Sequence, residues 1–273
     1  MDFNLLTSGS DLYNFHSHTQ FCDGKAPMEM FAAEAVERGF SHYGFSPHSP
    51  VPISSPCNMT KSDVPVFLDE VRRLREKYAA APTRFWQSME IDYLGPQWGP
   101  SHGYFHELPL DYRIGSVHFI SAQNGDLIDI DGRFDSFRRK MADNFHNDIR
   151  YVVNTFYDQS LEMISRGGFD IIGHYDKIGH NASHLCPGIE EEGWYADRAD
   201  ELTEAIIASG IAVEINTKAW AEHHRMFPAM RHWRRLADAG TTLLVNSDAH
   251  VPALIDASRR EAFGMLHSVG HSR

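Results

Sequence analysis

Two rhythms alternate along this chain. Short apolar runs with strand character are followed by longer stretches whose apolar residues recur every three to four positions. Tyr13 to His18 reads as a strand. Pro27 to Arg38 then reads as a helix, with proline at its start, Met28, Phe31, Ala32, Ala35 and Val36 on one face, and Gly39 as its stop. His42 to His48 is a second strand, and Asp63 to Ala80 an amphipathic helix with Val64, Phe67, Leu68, Val71 and Leu74 on one side. Arg84 to Asp92 and Tyr112 to Ile120 give strands three and four. A long helix from Asp135 to Arg166, broken once, ends at Gly167-Gly168. Phe169 to His174, Ile211 to Asn216 and Thr241 to Asn246 are strands five to seven. Between and after them lie helices at Ala199 to Ser209, Met230 to Ala239 and Pro252 to Ser268.

Strand–helix alternation of this kind builds right-handed βαβ units on a parallel sheet. About seven such units with no linker between them predict an α/β fold of a single domain, a closed barrel rather than an open doubly wound sheet. A length of 273 residues fits one barrel.

Composition narrows the function. The 25 basic and 37 acidic residues leave a net charge of −12, and no basic block is present. Such a chain is a poor general partner for nucleic acid or an anionic membrane. No apolar run approaches the ~18 residues of a membrane span. Cys22, Cys57 and Cys186 are far apart and lack CxxC spacing, so neither a disulfide framework nor a Cys-rich zinc site is expected. With no basic, apolar leader in Met1 to Leu6, a reducing cytoplasm is the expected location. Histidine is the unusual residue, at 17 copies. So much imidazole points to metal binding, proton transfer or both.

In a parallel βα barrel the site lies at the C-terminal ends of the strands. Strand one ends in His16-Ser17-His18, with Asp23 in the following loop. Strand two ends in His48, strand three in Glu90 and Asp92, strand four in His118, strand five in His174, and strand seven in Asp248 and His250. The sixth delivers Glu214, Asn216 and Lys218. Residues i and i+2 of a strand point the same way, so His16 and His18 can grip one ion. Asp248 and His250 can do the same if extension continues into the loop. A lone histidine pair has a bland reading as buried, hydrogen-bonded imidazoles; metal-type side chains at six strand ends do not.

These motifs resemble the PHP (polymerase and histidinol phosphatase) metallo-phosphoesterases, within them the histidinol-phosphate phosphatases. The resemblance rests on Phe15-His16-Ser17-His18-Thr19, Cys22-Asp23-Gly24, Gly44-Phe45-Ser46-Pro47-His48, the Glu90 strand, Gly115-Ser116-Val117-His118, Ile172-Gly173-His174-Tyr175-Asp176, Glu214-Ile215-Asn216-Thr217 and Asn246-Ser247-Asp248-Ala249-His250. It implies a distorted (β/α)7 barrel and one metal-dependent phosphoesterase domain across residues 1–273. It also implies three divalent ions, of Zn, Mn or Fe. His16, His18, Glu90 and Asp248 would hold the first. Asp23, His48 and His250 would hold the second. Glu90, His118 and His174 would hold the third, with Glu90 bridging. Clustered metals lower the pKa of a shared water and clamp phosphoryl oxygens during in-line attack, and they make an acidic protein locally attractive to an anionic substrate.

The implied substrate is a small phosphate monoester, foremost L-histidinol phosphate in histidine biosynthesis, with another phosphate ester or a nucleotide end as alternative. Leaving-group protonation would fall to Asp248 or His250, with Glu90 the remaining catalytic candidate. Lys177 and His180 are candidate phosphate contacts, although the arginine the family leads one to expect near Gly179 is absent; Arg150 could reach in instead. The loops at 92–111 and 217–228, rich in aromatic, histidine and acidic residues, form an expected specificity lid. His42, His146, His232, His267 and His271 are assigned to structure or surface. An amidohydrolase would need a bridging lysine on strand four, where His118 stands. A polymerase-associated, non-catalytic module would be expected to have lost part of the ligand set.

Overall fold

A computed structural model describes residues 1–270, so His271 lies outside the described residues. The strands are β1 (Tyr13–Asn14), β2 (His42–Phe45), β3 (Arg84–Asp92), β4 (Tyr112–Ser116), β5 (Phe119–Ser121), β6 (Leu127–Asp129), β7 (Ile171–Ile172), β8 (Ala212–Asn216) and β9 (Leu243–Asn246). The α-helices are α1 (Phe3–Thr7), α2 (Met28–Glu37), α3 (Val64–Lys77), α4 (Gly103–His106), α5 (Phe134–Phe145), α6 (Ile149–Arg166), α7 (Ile178–Leu185), α8 (Gly193–Ser209), α9 (Trp220–His223), α10 (Trp233–Asp238) and α11 (Arg259–Ser268).

Seven strands pair in parallel in the order β1-β2-β3-β4-β7-β8-β9. Between β9 and β1 no regular ladder forms. A single parallel bridge joins Ser17 to Ala249. Side chains supply the other contacts across this seam. The Phe15 amide donates to Asn246 Oδ1 at 2.8 Å, and Asn14 Nδ2 to Ser247 Oγ at 3.0 Å. The Val245 amide donates to the Tyr13 hydroxyl at 3.2 Å. Backbone groups that would otherwise lie buried and unpaired are thus satisfied without a ladder. The result is the expected distorted, seven-stranded α/β barrel, nearly closed. No helix among the described residues is long and apolar enough to cross a membrane.

The break in the long helix falls at His146 and Asn147, both in the left-handed region, between α5 and α6. Other expectations need correction. Strand four does not run on to Ile120. It ends at Ser116, and Phe119–Ser121 pairs antiparallel with Leu127–Asp129 as a separate hairpin. The turn contains Asn124-Gly125, with Gly125 at φ +89° and the Ala122 amide donating to the Asp126 carbonyl. Asn-Gly is a strong hairpin signal. A helix that the sequence pattern did not mark, α7, follows strand five. The final helix is interrupted too: a 3-10 turn at Pro252–Leu254 is separated from α11 by Ser258 at φ +56°.

Candidate metal centre

Strand ends bring the chemical side chains together. β3 is buried from Phe85 to Asp92 and carries Glu90 into the centre. Gly173 lets β7 approach β4: a Cβ there would stand 2.4 Å from Ser116 Oγ. That hydroxyl donates to Glu90 Oε1 at 2.7 Å. His174 follows at φ 23° and Asp248 at φ 49°, both left-handed. Non-glycine residues pay roughly 1–3 kcal/mol for such conformations, which cluster at functional sites. Extension therefore does not continue past β9, contrary to the simple i, i+2 expectation. Asp248 and His250 nevertheless converge, with Oδ1 to Nδ1 at 3.5 Å, because the left-handed turn redirects the carboxylate.

Glu90 is the hub. Its Oε2 lies 3.2 Å from His16 Nε2, 3.5 Å from His18 Nε2 and 3.1 Å from His48 Nδ1. Its Oε1 lies 2.9 Å from His174 Nε2 and 3.5 Å from His118 Nε2. On one side His18 Nε2 meets Asp248 Oδ1 at 3.1 Å. Next to it, Asp23 Oδ1 stands 3.2 Å from His250 Nε2 and 3.9 Å from His48 Nε2. Three donor groups result, each with ligand atoms within 4.8 Å of one another: His16, His18 and Asp248; His18, Asp23, His48 and His250; His48, Glu90 and His118. His18 and His48 each belong to two of them.

The donor chemistry fits divalent cations. Asp23 Oδ1, His48 Nδ1 and Glu90 Oε2 are buried without a hydrogen-bond partner, a costly arrangement unless a cation satisfies them. Two imidazoles are fixed from behind by carboxylates. His16 Nδ1 donates to Glu214 Oε1 at 2.6 Å, and His118 Nδ1 to Asp92 Oδ1 at 2.6 Å. A carboxylate on the far nitrogen sets the tautomer and aims Nε2 at an ion.

Burial opposes charge on His16, but Glu214, Glu90 and Asp248 outweigh it and raise its pKa well above the usual value. Burial lowers His18, and the neighbouring His250 and His48 lower it further. For His118, Glu90 and Asp92 overcome burial and bring it to about 9. Burial would push Glu90 up, yet His16, His118 and His48 hold it well below the carboxylate range. Asp248 is held low in the same way, against burial, by Lys218 and His16.

Sequence reasoning missed the roles of Glu214 and Asp92. Glu214 also accepts the His174 amide through Oε2 at 3.1 Å and hydrogen bonds from Asn216 and Asn246. Asp92, the last residue of β3, lines the inner cavity with its carboxylate against His118 Nδ1, whereas residues 93–111 reach neither site cavity. Trp98 is buried there, donating its indole N–H to the Pro50 carbonyl and packing on Phe105. Apolar packing, not substrate contact, explains that loop's aromatic content. Residues of 217–228 do border the site: Lys218, Glu222, His223 and Phe227 line an outer cavity.

Lys177 is not a solvated loop residue. It precedes α7, pairs with Asp131 Oδ2 at 2.7 Å and lines both the inner cavity of about 220 Å³ and the outer one of about 630 Å³. His180 lines only the outer cavity. Arg150 does not reach in; its guanidinium stacks on Trp194 at 4.8 Å. Space beside Gly179 is filled by Arg225, which is committed to Glu190 by two hydrogen bonds of 2.6 and 3.0 Å. Cys22 packs its sulfur 3.4 Å from His18 Nδ1, and burial with nearby Asp23 pushes the thiol up to about 12.

Against known proteins, the sequence model of the PHP domain matches residues 14–218. A Deinococcus radiodurans protein assigned as a histidinol-phosphatase is 26% identical over 274 residues, covering 95% of this chain and 94% of that one. Among solved structures, a Listeria monocytogenes protein assigned as a histidinol phosphatase superposes with a TM-score of 0.79 at 16% identity, over 91% of this chain and 99% of that one. The histidinol phosphate phosphatase of Lactococcus lactis, solved with zinc, L-histidinol and phosphate, gives 0.72 at 17% identity, over 96% and 95%. These likenesses carry the barrel architecture.

Proposed function

The chain belongs to the PHP domain family, and on that premise we propose that it is a metal-dependent phosphatase hydrolysing L-histidinol phosphate to L-histidinol and phosphate in histidine biosynthesis. One observation carries this reading. His16, His18, Asp23, His48, Glu90, His118, His174, Asp248 and His250 converge around one nearly buried carboxylate, Glu90. The likeness in sequence to an assigned histidinol-phosphatase supports the substrate.

In this reading three divalent ions of Zn, Mn or Fe occupy the cluster. His16, His18, Glu90 and Asp248 hold the first, Asp23, His48 and His250 the second, and Glu90, His118 and His174 the third. When bound, such ions supply an activated water and positive charge against the phosphoryl oxygens. The chain's own residues do the remainder. Glu214 and Asp92 keep two imidazoles in register. Lys177 and Lys218 line the inner cavity beside Asp248 and present positive charge to a phosphate. His180 faces the outer approach. Asp248 and His250 line the inner cavity and are the candidates to pass a proton to the departing alkoxide, Asp248 as a relay because Lys218 and His16 keep it ionised. Asp129 and Asp131, paired with Lys140 and Lys177, line the same cavity beside Phe119 and offer their remaining carboxylate oxygens to an ammonium group carried next to an imidazole. Three cysteines without a disulfide support a reducing cytoplasm as its location.

Turnover of a phosphomonoester panel by metal-analysed protein tests the proposal. L-Histidinol phosphate is expected to exceed nucleotides and sugar phosphates in kcat/KM by at least about 100-fold, the scale that several hydrogen-bonded substrate groups can supply. Preference for another ester would overturn the substrate and leave phosphatase chemistry standing. No hydrolysis of any ester by metal-replete protein would overturn both.

A further inference from the structure

Outside the main cluster, three more histidines converge. His180 and His184 lie one turn apart on α7, so their rings share a helix face. His223 on α9 closes on them. Ring centroids are 4.6 Å apart for His180–His184, 4.6 Å for His180–His223 and 6.1 Å for His184–His223. One ring nitrogen from each lies within 4.8 Å of the other two. None of the three lines the inner cavity, and their group shares no residue with the groups around Glu90.

We propose that His180, His184 and His223 form a separate binding site for a Zn²⁺-class transition-metal ion in the outer cavity. Three imidazoles are a ligand set that zinc accepts, and an i, i+4 histidine pair on a helix presents two of them to one ion. His184 is already oriented. Its Nδ1 lies 2.8 Å from the His180 carbonyl oxygen. That oxygen only accepts, so Nδ1 carries the proton and Nε2 keeps its lone pair. Backbone orientation of this kind is the usual outer support of a metal-bound histidine.

Exposed Glu222, outside the converging group, has a carboxylate that can swing in as a fourth donor. Glu222 Oε2 is 3.7 Å from His223 Nε2, too long for a hydrogen bond. It is close to the separation of about 3.3 Å between two ligands on one tetrahedral zinc. The three nitrogens lie within 4.8 Å of one another, so reaching that spacing needs closures of up to about 1.5 Å, taken up mostly by the half-exposed His223 ring. Phe134 packs on His184 at 5.5 Å and Phe227 meets His180 edge-on at 6.3 Å, which restricts the other two rings. Burial and the neighbouring His184 and His223 lower His180 to about 4, so its nitrogen is free of a proton at neutral pH. The inference does not depend on the phosphatase reading.

The test is metal stoichiometry on full-length protein already loaded at the Glu90 cluster. After desalting and Zn²⁺ titration against a chelator, wild-type protein is expected to hold one equivalent more than His184→Ala or His223→Ala. The variants should bind that equivalent at least about 100-fold more weakly, beyond the 10–100-fold typical of losing an outer support. Co²⁺ added to the zinc-loaded wild type should give visible absorption that both variants lack. Unchanged inner-metal content and circular dichroism confirm that the variants fold. Equal stoichiometry in all three proteins overturns the site. Loss of the inner metals together with the outer one also overturns it, because the histidines would then be supports of the main centre.

Discussion

Glu214 Oε1 lies 2.6 Å from His16 Nδ1, and Oε2 of the same carboxylate receives the His174 amide at 3.1 Å. One buried side chain on β8 thus fixes donors delivered by β1 and β7. Glu214→Gln keeps the shape and removes the charge that orients His16. Metal affinity should fall about 10- to 100-fold, with part of the lost activity recovered at high metal concentration. Metal content by mass spectrometry and kcat against added metal check this. Wild-type affinity in the variant would show that Glu214 only packs.

Glu90 faces two donor groups at once, with Oε2 toward His16 and His48 and Oε1 toward His174. Glu90→Gln removes an anion that no neighbour replaces, and His118→Ala removes a donor aimed by Asp92. Each should lower kcat by at least about 1,000-fold, the scale of losing a principal electrostatic contributor, while thermal unfolding remains cooperative. Near-normal kcat in either would remove that residue from the reaction.

Several features were legible because they follow from local rules. HxH on a strand puts two imidazoles on one face, and strand-end histidines in a βα rhythm converge whatever the loops do. A single break in the long helix was legible from its length, but its position at His146 and Asn147 was not. Asp92 and Glu214 were not legible as supports. A buried carboxylate on a strand carries no mark of which imidazole it will meet, since that depends on register between β3 and β4 or across the barrel. The aromatic loop after β3 misled for the opposite reason: Trp98 and Phe105 suit a substrate wall and a packed core equally in composition. The seam between β1 and β9 depends on asparagine side chains standing in for a ladder, a tertiary choice with no periodic signature. The His180–His184 pair was written in the sequence as H-x-x-x-H, but α7 had to be recognised before that spacing acquired meaning.

Chelation should abolish phosphatase activity. Asp23 Oδ1, His48 Nδ1 and Glu90 Oε2 have no hydrogen-bond partner in the protein, so ion removal leaves buried charge uncompensated and lowers stability as well. Activity and melting temperature of chelated and reconstituted protein test both. Full turnover in verified metal-free protein would exclude the metal-dependent mechanism.

The two lysines should divide by function. Lys218 is partly exposed, with Nζ 3.4 Å from Asp248 Oδ2 and 3.3 Å from His250 Nε2. Lys177 is anchored by Asp131. Lys218→Ala should raise KM about 10-fold or more with the smaller change in kcat, because a rim cation binds ground and transition states alike. Lys177→Ala also strands Asp131, so KM and stability should change together. If neither substitution alters KM, phosphate is held by the metal cluster alone.

Glu190 offers a pH test remote from the Glu90 cluster. Its carboxylate accepts from Arg225 at 2.6 and 3.0 Å and from Arg231 at 2.8 Å. Burial opposes its charge, but Arg225 outweighs burial and, with Ser183 and Arg231, holds the group at about 2 against an ordinary 4.5. A depressed carboxylate pKa means that the unfolded chain binds the proton more readily. The stabilisation is therefore complete above about pH 5 and fades as pH falls toward 2. After allowance for solvent screening it is worth about 2 kcal/mol. Glu190→Gln should lose that amount at pH 7 and show a shallower decline between pH 5 and 2, while neutral-pH kcat stays near wild type. Denaturant melts of both proteins across that range supply the comparison, and subtracting one curve from the other cancels protonation of the metal-binding histidines. A constant difference from pH 7 to pH 2 would mean that the arginines do not hold Glu190 ionised.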